Sequence, residues 1–349
     1  MGPLHKFFVG RPHFLQKKAL SPRIKDESAF DFAKRDENEN ENFTAPPEAP
    51  AQSLPAAVLA AGAGNPAFAA VAPAAHAGWA EQSPMPFLLQ ADSGEVLAEK
   101  DADSTIYPAS MTKMMTALLA IEANPDLDTP VTLPEEIFPA LQAQNASLAG
   151  FRAGETATVR DLLYGAMLPS GAECCETLAR EVSGSEEAFV ARMNQRAKEL
   201  GCTSTSFTCV HGLYDYGNVS SAHDLALIAK ACAENETYMQ VANTLSYTLP
   251  ATNLHQNERT ITSTNLMLNP EYPYYRDYIR GMKTGFTTLA GRCYVTFAQK
   301  DGHTYGLVVL GSDLDNIYRE ASEILDWAFA SFSDRELVDT ETPADHRPP

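Results

Sequence analysis

The chain has 349 residues, 44% of them hydrophobic, enough to bury a core in one large or two ordinary domains. A formal charge of −19, with no basic stripe anywhere, argues against a nucleic-acid partner, because such binding draws on Lys and Arg neutralising phosphates. The six cysteines form no Cys-x-x-Cys pair and have no histidine at zinc-finger spacing, so the sequence calls for no metal and no cofactor.

Residues 1–79 stand apart in composition. Lys17, Lys18, Arg23 and Lys25 give a basic opening, followed by the polar run Asp36 to Asn42 and by Pro46 and Pro47. Such a stretch buries too little apolar surface to offset its ordering entropy, and it reads as a disordered or targeting region. Within it, Leu54 to Ala77 is Ala-rich but broken by Pro55, Gly62, Gly64, Pro66 and Pro73. It ends in Ala75-His76-Ala77, the small-x-small form of a signal-peptidase site, although acidic rather than basic residues precede it. A cleaved signal and a flexible Ala/Pro linker both fit. No uninterrupted apolar run reaches the roughly 18 residues of a firm membrane span.

Residues 80–333 carry mixed elements. Phe87 to Ala91 and Glu95 to Glu99 flank Asp92-Ser93-Gly94, a hairpin with glycine where positive φ is needed. A helix is predicted from Ser110; Met111, Met114, Met115, Leu118, Leu119 and Ile121 fill most of its circumference, so it is buried. Val159 to Leu168 is helical and closes at Pro169, and Ser221 with Asp224 reads as a capping box opening a helix through Ala233. Gly291 to Gln299 and Thr304 to Gly311 alternate like strands about Lys300-Asp301-Gly302. Strands, then helices, then strands predict an α+β fold in which helices cover an antiparallel sheet. Residues 334–349 are a polar, Pro-containing tail expected to be disordered. Cys202 and Cys209 flank a polar stretch: a bridge formed after export and buried free thiols are both open, and the thiols are the plainer expectation.

Ser110-Met111-Thr112-Lys113 puts a hydroxyl and an amine on one helical face, the arrangement of a nucleophile beside its base. The amine can take the serine proton only if burial or another cation holds it neutral, and the Met-rich surroundings could supply the burial. An N-cap serine with an exposed lysine is the bland explanation of such a tetrapeptide. Lys283-Thr284-Gly285 precedes the strand pair; a cation and a hydroxyl on an edge strand can bind a carboxylate, and Gly285 admits a close backbone. On its own it would be a turn.

Together these stretches resemble the D-alanyl-D-alanine carboxypeptidase family of low-molecular-weight penicillin-binding proteins. The resemblance rests on Asp92-Ser93-Gly94-Glu95, Pro108 to Lys113, Ala149 to Glu155 with Leu162 to Gly165, His211-Gly212-Leu213 and Gly281 to Phe286, and it covers nearly all of residues 84–330. It implies a penicillin-recognising β-lactamase/transpeptidase-like fold and a serine acyl-enzyme mechanism. Carried over by position, Ser110 is the nucleophile, Lys113 its general base and Ser170 the second-motif serine that relays a proton. Lys283 and Thr284 bind the terminal carboxylate beside Gly285, and the N–H groups of Ser110 and Phe286 form the oxyanion hole. Arg319 matches a family arginine near the carboxylate site, with a surface ion pair as the other explanation. The implied partners are a peptidoglycan stem peptide ending in D-Ala-D-Ala and β-lactam antibiotics as covalent inhibitors, and the implied location is extracytoplasmic.

The second motif departs from the family's Ser-x-Asn, because Ser170-Gly171-Ala172 lacks the amide that steadies the lysine. Ser263-Thr264-Asn265 fits as text but lies too close to Lys283 and reads as a decoy. His211 reads as a turn histidine. Two alternatives stand beside the carboxypeptidase. A class A β-lactamase would need a Glu four residues before an Asn between the second and third motifs, and none is present. A weakly catalytic binding protein has Ala172 as its support. The chain also stops soon after the catalytic region, which makes a C-terminal amphipathic membrane anchor doubtful.

Overall fold

The computed structural model describes residues 85–332. The expectations for 1–79, including the Leu54 to Ala77 segment, and for the 334–349 tail lie outside the described residues.

Strand β1, Met85–Gln90, turns through Gly94 (φ 73°) into β2, Val96–Glu99. Near the other end of the chain come β7, Ile279–Thr287, β8, Gly291–Lys300, and β9, His303–Ser312. All five join one antiparallel sheet of order β2-β1-β9-β8-β7, which leaves β7 on an edge. Asp301 and Gly302 link β8 to β9 with φ of 52° and 85°, the two positive values that a tight hairpin of matching twist requires.

Side chains alternate across the pleat, and both faces are buried. Phe87, Leu89, Val295, Phe297, Val308 and Leu310 enter the larger core with the central helices. Leu88, Tyr294, Ala298, Tyr305, Leu307 and Val309 face a second core closed by the last helix of this region, Ile317–Ser331.

The central helices are α1, Thr112–Ala123; α2, Phe138–Ala143; α3, Val159–Met167; α4, Ala172–Ser183; α5, Glu186–Glu199; α6, Ala222–Ala233; and α7, Glu236–Ala242; the Ile317–Ser331 helix is α8. Two short ladders complete the layer: β3, Pro130–Thr132, with β4, Thr156–Thr158, and β5, Ser246–Leu249, with β6, Arg259–Thr262. In α1 every residue from Thr112 to Ala120 is buried, as an all-round apolar helix requires. Ser221 caps α6 by accepting from Asp224 N–H. The reciprocal half of the expected box is replaced: the Asp224 carboxylate accepts from Thr203 N–H, Ser204 N–H and the Thr205 hydroxyl. All six cysteines are free thiols, Cys202 half-buried and the rest buried. Among the described residues no helix is long and apolar enough to cross a membrane.

Candidate active site

Ser110 sits in a 3-10 turn, Ala109–Met111, that runs directly into α1. In that geometry residues i and i+3 eclipse, so the turn brings Ser110 and Lys113 together as a helix start would. Lys113 Nζ is 2.9 Å from Ser110 Oγ and 2.6 Å from the carbonyl of His211. Only 2% of Lys113 is exposed, and burial lowers its pKa. The adjoining thiols of Cys174 and Cys175 are pushed up by burial, Cys175 to about 12, so they hold no thiolate that would restore the ammonium charge. The His211 carbonyl can only accept. It takes an N–H of the amine and leaves the lone pair for the Ser110 proton.

Ser170 Oγ donates to Ser110 Oγ at 3.0 Å. Ser170 lies in the left-handed region (φ 68°) just ahead of α4, and Gly171 is pressed against Ala149, where a Cβ would come within 2.9 Å of the Ala149 nitrogen. Glu173, fully buried, holds the facing segment by accepting from the N–H groups of Ala149, Gly150 and Phe151. Ala172, which stands where an amide was expected, is buried, and its N–H donates to Ser147 O at 2.8 Å. Lys113 finds its second partner in the His211 carbonyl instead.

Edge strand β7 lines the other side. A Cβ on Gly285 would lie 3.0 Å from Ser110 N and 2.9 Å from Met111 Cε, so only glycine lets the strand run this close. Lys283 is 1% exposed and donates to the Thr284 carbonyl at 2.9 Å; burial first, then the charge of Lys113, hold its pKa well below the ordinary lysine value. The half-buried Phe286 carries the Arg292 guanidinium over its ring at 4.3 Å. Arg319, in the first turn of α8, pairs with Glu323 at 3.2 Å and with Asn316 Oδ1 at 2.6 Å. Both partners are neighbours at its own helix end, and neither belongs to the Lys283-Thr284 motif.

Two contributors escaped the sequence reading. The Thr264 hydroxyl meets the Thr284 hydroxyl at 2.6 Å, its N–H donates to Leu168 O, and its carbonyl accepts from Tyr318 OH. The stretch read as a decoy thus abuts the strand motif. The other is the His211 backbone. Gly212 (φ 82°) beside it packs so closely that a Cβ would sit 1.8 Å from Ala109 O. Neither contact leaves a local signal, because the partners are 20 and 98 residues apart.

A helix-flanked antiparallel sheet with a half-buried serine against a buried lysine at its edge defines the class of penicillin-recognising serine enzymes. The family model of peptidase S11, D-alanyl-D-alanine carboxypeptidase, matches residues 71–314, and the chain belongs to that family. It is 35% identical over 256 residues to D-alanyl-D-alanine carboxypeptidase DacC of Escherichia coli K12, covering 70% of this chain and 60% of that protein. It is 33% identical to DacF of Bacillus subtilis 168, covering 72% and 63%. The chain therefore spans about three fifths of the length of these two relatives. The crystal structure of the Streptomyces K15 DD-transpeptidase superposes with a TM-score of 0.67 at 30% identity, over 74% of this chain and 100% of that one.

Proposed function

We propose that this chain is a serine-type D-alanyl-D-alanine carboxypeptidase acting outside the cytoplasm on peptidoglycan stem peptides. The observation that carries the reading is the contact set of the Ser110 hydroxyl, 2.9 Å from a buried lysine amine and 3.0 Å from a second serine hydroxyl. Lys113 takes the Ser110 proton as Oγ bonds to the carbonyl carbon of the penultimate D-alanine. Ser170 passes a proton to the leaving amine as the C–N bond breaks, and water then hydrolyses the ester. Lys283 and Thr284 hold the terminal carboxylate, and a β-lactam would acylate the same oxygen. The approach of that carboxylate favours the ammonium form of Lys283, which in turn favours the neutral form of Lys113.

The test is release of D-alanine from a peptide ending in Lys-D-Ala-D-Ala. A Ser110→Ala variant should lose at least about a hundredfold in kcat/KM, and labelled penicillin should mark Ser110 in the wild type. Equal low rates in both would leave only a binding protein, and rapid turnover of penicillin would point to a β-lactamase. The Streptomyces neighbour is named a transpeptidase, so an added acceptor amine, captured in place of water, decides between hydrolysis and transfer.

A further inference from the structure

One cluster of titratable side chains is left over by this chemistry: the buried Glu176 on α4, the half-buried Glu186 at the start of α5 and the buried His211, whose ligand-type atoms lie within 4.8 Å of one another. The composition suits a divalent cation, but the hydrogen bonding of His211 opposes one. Leu213 N–H donates to His211 Nδ1 at 3.2 Å, so the neutral ring keeps its hydrogen on Nε2. A ligating Nε2 would need the other tautomer and would strand the Leu213 N–H. Instead Nε2 faces Glu176 Oε1 at 3.5 Å, and Arg180 pairs with the other oxygen of Glu176. Two carboxylates against one guanidinium leave one surplus negative charge in a partly buried place, and a proton between the carboxylates removes it.

We infer that Glu186 is held as the neutral, proton-donating partner of Glu176, and that the two are positioning residues which, through His211, fix the carbonyl that Lys113 uses. This rests on the serine–lysine reading above. Glu186 brings a carboxylate oxygen within 4.8 Å of Glu176 and His211, and the nearby Val210 N–H favours its charged form while Glu176 opposes it. The Val210 carbonyl accepts from Thr116 Oγ1 at 2.6 Å, and the next carbonyl, that of His211, receives Lys113 Nζ. A neutral carboxyl can serve both neighbours, one oxygen accepting from the Val210 N–H and the O–H donating to Glu176. Burial first, then the charge of Glu176, raise Glu186 to about 7. The other groups facing it are Arg180, the Cys209 thiol, kept neutral by burial, and His211, whose pKa burial lowers; Glu187, next in the chain, is held low by backbone hydrogen bonding. Ionising Glu186 breaks the carboxyl–carboxylate bond, slackens residues 210–211 and adds negative charge that favours the ammonium form of Lys113. Each effect slows acylation.

The experiment follows penicillin acylation of the intact protein across about pH 5.5 to 9 in the wild type, Glu186→Gln and Glu186→Leu. The amide keeps both hydrogen bonds and cannot ionise, so the wild-type rate divided by the Gln rate should start near one and fall at least about threefold as pH passes 7. Glu173, also raised to about 7 by burial, is common to both proteins and cancels in the ratio. The Leu variant should acylate about tenfold or more slowly at every pH. Superimposable wild-type and Gln profiles, or a Leu variant as fast as wild type, overturn the inference. A wild type that penicillin does not acylate overturns the serine–lysine reading instead. The side-chain carboxyl carbon of Glu186, followed by NMR in glutamate-labelled wild type, then decides the inference alone: titration near 7 supports it, and an ordinary glutamate value sinks it.

Discussion

The role proposed for Lys113 requires a free amine, and what favours that form is burial, with no carboxylate among its hydrogen-bond partners. Because its pKa lies below the ordinary 10.5, acylation should persist toward neutral pH and fall off as pH drops through the lowered value, where the ammonium form returns. Lys113→Arg puts a permanently protonated guanidinium, with no lone pair to take the Ser110 proton, in place of the free amine, so it should cost at least about a thousandfold in acylation at every pH; a pH–rate profile of both proteins with penicillin checks this. At this scale much was legible. The Ser110–Lys113 pair is a matter of i, i+3 spacing, and Lys283 and Gly285 follow from what an edge strand near a carboxylate needs. Thr264 and the His211 carbonyl were not legible, because one is a hydroxyl and the other a backbone atom, each brought in from far along the chain. Arg319 shows the same limit from the other side: its helix position is readable, but its bonds to Glu323 and Asn316 depend on side-chain rotamers that spacing does not fix.

At the scale of elements, hairpins announced themselves through glycine at positive φ, and α1 through apolar side chains over most of its circumference. The β3–β4 and β5–β6 ladders are three and four residues per strand, too short to display alternation. The element that matters most to the site has no regular structure. Residues 209–213 touch α1 through Lys113 and Thr116 and α4 through Glu176, and Gly212 packs directly on the Ser110 turn. Gly212→Ala would combine positive φ with a Cβ 1.8 Å from the Ala109 carbonyl oxygen, a backbone atom that moves only with the Ser110 turn. We expect a loss of about 3 kcal/mol or more in stability and slower acylation in whatever remains folded. Denaturant unfolding and penicillin labelling of the soluble fraction would measure both, and wild-type values in each would show that the segment has slack.

On the scale of the whole region, the sheet supplies one wall of the site and the helical layer the other, so the reacting groups stay together only while the helical layer keeps its own shape. Glu155 is one polar anchor there. Its buried carboxylate accepts from Arg152 N–H, the Thr252 hydroxyl and Arg259, with His255 at 3.0 Å, and so ties the segment before β4 to the β5–β6 ladder. Burial pushes its pKa up, but these bonds outweigh it and the net shift is downward. A depressed carboxylate contributes stability that is complete above its unfolded value of 4.5 and lost as pH falls through the folded value. Glu155→Ala removes that contribution and leaves the largely buried Arg259 with only the Phe151 ring against it, at 4.7 Å, so the expected cost is about 3 to 5 kcal/mol at neutral pH. The difference between wild type and variant should shrink as the solution is acidified, whereas a loss of packing alone would leave a constant gap. Thermal melts of both proteins across that range decide between the two. Since Glu155 touches none of the reacting groups directly, the acylation rate of the folded variant should stay within a few-fold of wild type; a far larger loss would mean that the helical layer tunes the chemistry as well as supporting it.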